Sequence, residues 1–556
     1  MSDMNKDVSN MISDTNNDVS DMVLGSIQQH YSKMFPHFTR SFSDYYNMPT
    51  NAENGNDKFI SQGTSSHGVE ELESFATFCN LDDLNLDDVI SQPFQSFDDE
   101  IISVRPSNAK EDYSASFHIL RKHKRKCPKL DQNNAIVSSR NSVIPTLSTE
   151  AIIELAAENF IQSASKSSKK LSMFNHQYSS SSLSHSKDVQ LIVNLLSCAE
   201  KVDNEQYDRA GKLLDECYKM SSPIGSTIQR LAFYFIQALY EKVGRVTPRG
   251  LCSHPLEAVI WPSMLLLAIH KGYPLSQITN FAGIQTILDH VVEARKIHVI
   301  DLEIRSGIHY TILIQALVDR SKHPVEHLRI TALGTKSKEI MEETGKRLMS
   351  FAESLKLSFS FDVVMVADVL DLKESLFKVV PGETVAVHAA YALMGLVGRV
   401  GCLEHIVKVI KDLNPCVMII AEMEANCNSP TFIGRFVESL FYYGALFDSF
   451  AECMKNDETN RREVELTCIG SSIRNVLAAE GDERKIRHMS ISVWRAFLAR
   501  FGIVEIELSM SCVDQAHMVL QGFPSSRSCA VDMNGKCLIV GWKGTPLSSL
   551  SAWKFK

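Results

Sequence analysis

The chain is 556 residues long, 44% hydrophobic and 22% charged, with a formal net charge of -9. That length is enough for about two to four domains, and the absence of any apolar run of about 18 residues excludes a membrane-spanning helix. The negative charge argues against a protein held on nucleic acid by general phosphate neutralisation, and thirteen scattered cysteines without a CxxC pair point to a reducing compartment.

Residues 1 to 145 are rich in Ser, Asp and Asn, and the stretch from Lys6 to Met11 is nearly repeated from Asn17 to Met22. The start lacks the basic-then-apolar pattern of a secretory leader. So little apolar periodicity cannot offset chain entropy, which predicts disorder. Two islands interrupt this region. Glu71 to Ile90 alternates acids with Leu, Phe and Val, the composition of a segment that folds into a partner's groove. Arg121, Lys122, Lys124, Arg125 and Lys126, with His123 among them, form a compact basic strip suited to an import receptor, which predicts a nuclear protein. A short amphipathic helix is expected from Leu147 through Ile152, Ile153, Leu155, Ala156 and Phe160, capped by Ser148 or Thr149, with a Ser-rich linker from Ser163 to Lys187.

From Asp188 onward dense apolar periodicity marks one folded region of 188–556. Its first part, 188–290, reads as a helical cap. Leu191, Leu195, Cys198, Ala199 and Val202 define one helix stripe, Ala210, Leu213, Leu214 and Cys217 a second, and Leu231 to Leu239 a third that is apolar around most of its circumference. The third stripe is wider than packing on a single neighbour requires, so part of it is expected to lie open for a partner. From 291 the pattern changes to alternating strands and helices. Buried strands of the parallel type are predicted at Lys296 to Leu302, Leu328 to Leu333, Ser358 to Val366, Val385 to His388 and Cys416 to Glu422. The economical architecture is α/β: a doubly wound, Rossmann-type sheet with an α-helical cap.

At these strands the sequence resembles the GRAS family of plant transcriptional regulators over nearly all of 188–556. The family's Val-His-Ile-Ile-Asp signature stands here as Ile297, His298, Val299, Ile300 and Asp301, between leucine-rich flanks. Later segments follow in order. Glu422 to Pro430, Arg435-Phe436 and Phe441 to Ser449 are similar to the Pro-Phe-Tyr-Arg-Glu block, and Arg487-His488, Trp494, Gly541-Trp542 and Ser551, Ala552 and Trp553 to the Ser-Ala-Trp block. The resemblance implies a methyltransferase-like sheet, no catalysis, nuclear action, and docking onto DNA-binding factors, zinc-finger proteins among them, or onto other GRAS chains, with DNA reached mostly indirectly. The nearest subgroup is DELLA-like. Neither an Asp-Glu-Leu-Leu-Ala nor a Val-His-Tyr-Asn-Pro string occurs in the first 145 residues, so gibberellin-receptor binding does not carry over.

Several constellations bear on chemistry. A methyltransferase places its cofactor against a glycine-rich turn after the first strand, where backbone must approach the ligand without Cβ atoms. Here that turn carries Glu303 and Arg305 where glycines are expected and keeps Gly307, and the second strand ends Gly334-Thr335 without a carboxylate for ribose hydroxyls. No cofactor is therefore expected. His298, His309 and His388 have no acid or thiol at a recognisable ligand spacing and read as core or rim residues, with no metal. Glu422 and Glu424 share one strand face and are assigned to structural ion pairs with Arg435 or Arg487. Cys427 stands where the family commonly has His, and Ile486 and Met489 where it has acids beside the Arg-His pair, so the ion-pair network is expected to be thinner here. Trp494, Trp542 and Trp553 are read as core.

Overall fold

The computed structural model describes residues 147–165, 182–246 and 263–556. The acidic island and the basic strip lie outside the described residues.

Among the described residues six helices come first: α1 Thr149–Ser165, α2 Ser182–Asp203, α3 Tyr207–Met220, α4 Thr227–Val246, α5 Ser263–Gly272 and α6 Pro274–His290. The alternating part then runs β1 Lys296–Asp301, α7 His309–Val318, β2 His327–Gly334, α8 Lys338–Ser354, β3 Phe359–Met365, β4 Thr384–Ala390, α9 Val400–Leu413 and β5 Val417–Met423. Next come α10 Phe432–Cys453, α11 Glu458–Val464, a π-helical turn at Glu465–Gly470 and α12 Ser471–Ala478. The chain closes with α13 Ile491–Ala499, β6 Ile503–Ile506, α14 Met510–Gln521, β7 Cys529–Asn534, β8 Cys537–Trp542 and β9 Thr545–Phe555.

The strands form one sheet in the order β3-β2-β1-β4-β5-β9-β8-β7, with β6 beside the far half of β9. β1 to β5 are parallel, and β9 runs antiparallel to β5, pairing Trp553 with Met418 and Ser551 with Ile420. The doubly wound, methyltransferase-like fold read from the sequence is thus present, and it follows from the side-chain period of a strand. Val417, Ile419 and Ala421 of β5 enter the core shared with the helical layer, while Met418 and Ile420 point to the opposite core under α9 and α13. Both faces of the central strands β1, β4 and β5 are covered, whereas the edge strand β3 alternates Phe359, Phe361 and Val363 toward the core with Ser360 and Asp362 on the other face.

Two expectations about the helices need correction. The α1 helix, assigned ahead of the folded domain, belongs to it. Ile152, Ile153, Ala156 and Phe160 are buried in the main core, and Thr149 donates to Asp448 of α10 at 2.7 Å. The α4 stripe is not open either. Leu231, Phe235, Ile236 and Leu239 are fully buried because α4 lies between the other cap helices and α10. Phe235 packs edge-on against Phe436 with 5.4 Å between ring centroids, and Tyr234 meets Phe447 at 5.7 Å. A helix apolar all round is one covered on several sides.

Candidate functional site

The carboxyl ends of β1 and β4 are where a sheet of this topology forms a ligand crevice. The parallel register sets Asp301 directly beside His388, and α7 opens with His309 and Tyr310 above the same point. Asp301 Oδ2 receives three donors: the Tyr310 hydroxyl at 2.5 Å, His388 Nδ1 at 3.0 Å and His309 Nε2 at 3.4 Å. Its Oδ1 accepts from the Glu303 backbone N–H at 2.8 Å. Asp301 is 1% exposed, and His388 and His309 are buried with it. Burial alone would raise the carboxyl pKa, but the hydrogen bonds from His309 and His388, and their charge when protonated, outweigh it and hold the group well below the usual range. Burial pushes His309 down and, with the Asp301 charge, pushes the Tyr310 hydroxyl well up. At neutral pH Asp301 is therefore a carboxylate, with His309 and the Tyr310 hydroxyl uncharged beside it.

This overturns one reading of the histidines, since His309 and His388 do share an acid partner. Their ligand-type atoms and that of Asp301 lie within 4.8 Å of one another, a set able to hold a metal ion. Sequence spacing could not reveal it, because the separations of 8 and 87 residues are closed only by strand register. His298 stands apart, in the middle of β1, bonded to Thr331 at 2.7 Å and 3.4 Å from Glu383.

The turn after β1 is filled by side chains. Arg305 adopts a left-handed φ of 50°, its guanidinium lies 5.4 Å from the Tyr391 ring centroid, and Nε is 3.6 Å from Glu303. Gly307 has φ 62°, and a Cβ there would come within 2.8 Å of Thr344, so this one glycine is required by the approach of α8. Ile297, Val299 and Ile300 are core residues on alternate faces.

The acids of β5 behave differently from the sequence expectation. Glu422, 2% exposed, accepts the backbone N–H groups of Leu393 and Met394 at 3.0 and 3.2 Å, and Glu424 accepts that of Ile491 at 3.1 Å. Neither pairs with Arg435 or Arg487. Arg435 instead reaches Glu480 at 2.5 Å and the carbonyls of Val476, Ser429 and Pro430. The physical reason is direction: β5 delivers its acids to the loops beyond the sheet, whereas Arg435 on α10 turns toward α12. Burial pushes Glu422 up to about 8 and Glu424 to about 7. Beside β5, Ser551, Ala552 and Trp553 lie buried in β9, where the Trp553 indole donates to Ser551 at 2.9 Å.

Comparison with known proteins decides the family. Residues 191–554 match the model of the GRAS domain family. The chain belongs to the GRAS family. It is similar to the DELLA protein GAI1 of Vitis vinifera, 31% identical over 370 residues, or 66% of this chain and 62% of the relative. The DELLA protein RGL1 of Arabidopsis thaliana is 30% identical over 367 residues, 66% of this chain and 70% of the relative. This GRAS chain thus spans less than two thirds of the length of the grape protein. Among solved structures, SCL7 of Oryza sativa aligns with a TM-score of 0.57 at 27% identity, covering 66% of this chain and 99% of that one.

Proposed function

We propose that this GRAS chain regulates transcription in the nucleus by contact with other proteins and catalyses nothing itself. The observation that carries this reading is the turn after β1. Glu303 and Arg305 stand where backbone would have to approach a cofactor, and the donors around Asp301 are turned onto one another. A crevice with its polar groups so engaged supports binding by the outer surface of the domain. The net charge of -9 favours DNA reached through a DNA-binding partner, a zinc-finger factor or a second GRAS chain being the kinds the family points to. In this reading the segments 297–301 and 551–553 serve the fold, and the basic run 121–126 serves import.

The test uses the full chain, fused to a heterologous DNA-binding domain in plant cells beside a reporter carrying its site, together with titration of the unfused protein by S-adenosylmethionine. A change in reporter output with no heat of binding is expected. Stoichiometric binding of S-adenosylmethionine at micromolar affinity, or a reporter that does not respond, overturns the proposal.

A further inference from the structure

The segment that follows α12, residues 479–490, carries a cation the fold leaves without a counter-charge. Asn475 of α12 fixes this segment, donating to the Glu483 carbonyl at 3.1 Å and accepting from the Ile486 N–H at 2.7 Å. That anchoring directs Arg484 inward, where it is 7% exposed. Its Nε and Nη1 are buried and make no hydrogen bond, and it forms no ion pair among the described residues. Two further orphans occur on a bonded pair of residues, the side-chain Oδ1 of Asn428 and His488 Nδ1, although Asn428 Nδ2 donates to the His488 backbone carbonyl.

The neighbouring charges deepen the deficit. Arg435 and Arg487 act on Arg484 as like charges, and the acid acting on it, Glu480, already serves Arg435 at 2.5 Å and Lys242 at 2.6 Å. Burial, then these two arginines, lower the Arg484 pKa to about 10. It therefore remains charged at neutral pH. A buried carboxylate can escape its desolvation cost by taking up a proton, but a guanidinium cannot discard one, so an unpartnered buried arginine needs a counter-ion. Ile486 and Met489 flank the Arg487-His488 pair and bring no acid to it, and Met489 is buried in apolar core. Arg487, half-buried, extends from the same segment beside Gly398, where an added Cβ would sit 3.1 Å from its Nε.

We propose that Arg484 and Arg487 form a binding site for one small oxyanion of the phosphate type, with Arg484 at its floor and Arg487 at its mouth. This site lies apart from the Asp301 crevice and goes beyond the proposed regulatory function. The anion supplies the charge that Ile486 and Met489 do not, and its oxygens accept the Nε and Nη1 hydrogens that otherwise stay unmade.

The experiment takes the full chain, freed of phosphate in a chloride buffer, and measures calorimetric titration and thermal melting with inorganic phosphate at constant ionic strength. O-phosphoserine is titrated in parallel to distinguish a free ion from an esterified one. The expected result is saturable binding at one ion per chain and a melting temperature that rises with phosphate as binding to the folded state requires. Arg484→Met should abolish both effects, and Arg487→Met should weaken phosphate binding about tenfold or more while leaving the phosphate-free melt nearly unchanged, as expected for a group at the mouth. No saturable effect of phosphate beyond that of chloride overturns the proposal. Unchanged affinity in Arg487→Met overturns it as well, and that variant decides the matter even if Arg484→Met fails to fold.

Discussion

Replacing Glu422 by Gln should make the protein more stable at alkaline pH. The carboxyl group sits at the end of β5, 2% exposed, with Oε1 accepting from Leu393 and Met394, and burial pushes its pKa from the ordinary 4.5 to about 8 against the pull of those two N–H groups and of Arg305. A group whose folded pKa lies above its unfolded value holds its proton more tightly in the folded state. Its contribution to stability is complete below about pH 4.5 and is lost as pH rises through about 8. From pH 4.5 to about 8, at roughly 1.4 kcal/mol per pH unit, the loss reaches up to about 5 kcal/mol. Gln keeps an oxygen for the two N–H groups and cannot ionise. Glu424 is raised as well, to about 7, but it is present in both proteins and cancels from the difference. Urea unfolding followed by circular dichroism at several pH values should therefore give curves that nearly coincide at acid pH, separate progressively between about pH 4.5 and about 8 and run parallel above that, the Gln variant being the more stable. A difference that stays constant with pH, or one that grows in the opposite direction, refutes the reasoning.

Other perturbations have expected outcomes of similar definiteness. Trp553→Ala empties a fully buried indole site between β5 and β6 and should cost about 3 to 5 kcal/mol in urea unfolding; a loss below about 1 kcal/mol would place the side chain outside the core. Glu465 is fully buried and accepts Arg230 Nε at 3.0 Å and Arg461 Nη1 at 2.8 Å, so Glu465→Ala leaves the buried Arg230 guanidinium without its acid and Arg461 with only the more exposed Glu458 at 3.4 Å. A destabilisation of about 3 to 5 kcal/mol is expected, and double replacement with Arg230→Met should recover part of it. Replacing the basic run from Arg121 to Lys126 with Gln should reduce nuclear accumulation of a fluorescent fusion, and an unchanged distribution would assign import to another signal.

β1, β2 and β5 were legible because they are buried on both faces. Lys296 to Leu302, Leu328 to Leu333 and Cys416 to Glu422 are nearly unbroken apolar runs, and β1, β2 and β5 fall within a residue or two of them. β9 was illegible for the opposite reason. Pro546 and Ser548, Ser549 and Ser551 give it the composition of a loop, yet the serines are buried and their hydroxyls donate to the β5 carbonyls of Glu422 and Ile420. A local pattern cannot express a hydroxyl satisfied by a strand more than a hundred residues away. The burial of α4 escaped for the same reason, since Phe436 and Tyr443, which close over Phe235, lie on α10. The ion pairs assigned to Glu422 and Glu424 failed because spacing along a strand tells which face an acid shares but not which backbone N–H groups wait beyond the strand end.

The distribution of engaged and unengaged polar groups separates what the sheet inherits from what this chain uses. A doubly wound sheet offers a crevice at the ends of β1 and β4 whatever its sequence. In this chain the Asp301 carboxylate there takes four donors, and Glu422 nearby takes two backbone N–H groups, so a ligand entering would have to displace bonds already made. At Arg484 no hydrogen bond of Nε or Nη1 need be broken. The donors are desolvated, charged and unmet, so an anion gains their full interaction without first breaking another. If ligand control of this domain exists, it follows that its seat is the segment after α12 rather than the crevice, and that the segment's position against Arg435 on α10 and Gly398 before α9 should respond to the anion. Hydrogen exchange with and without phosphate tests this directly: protection should rise at 480–490 and around Gly398, while the amides flanking Asp301 should be unaffected.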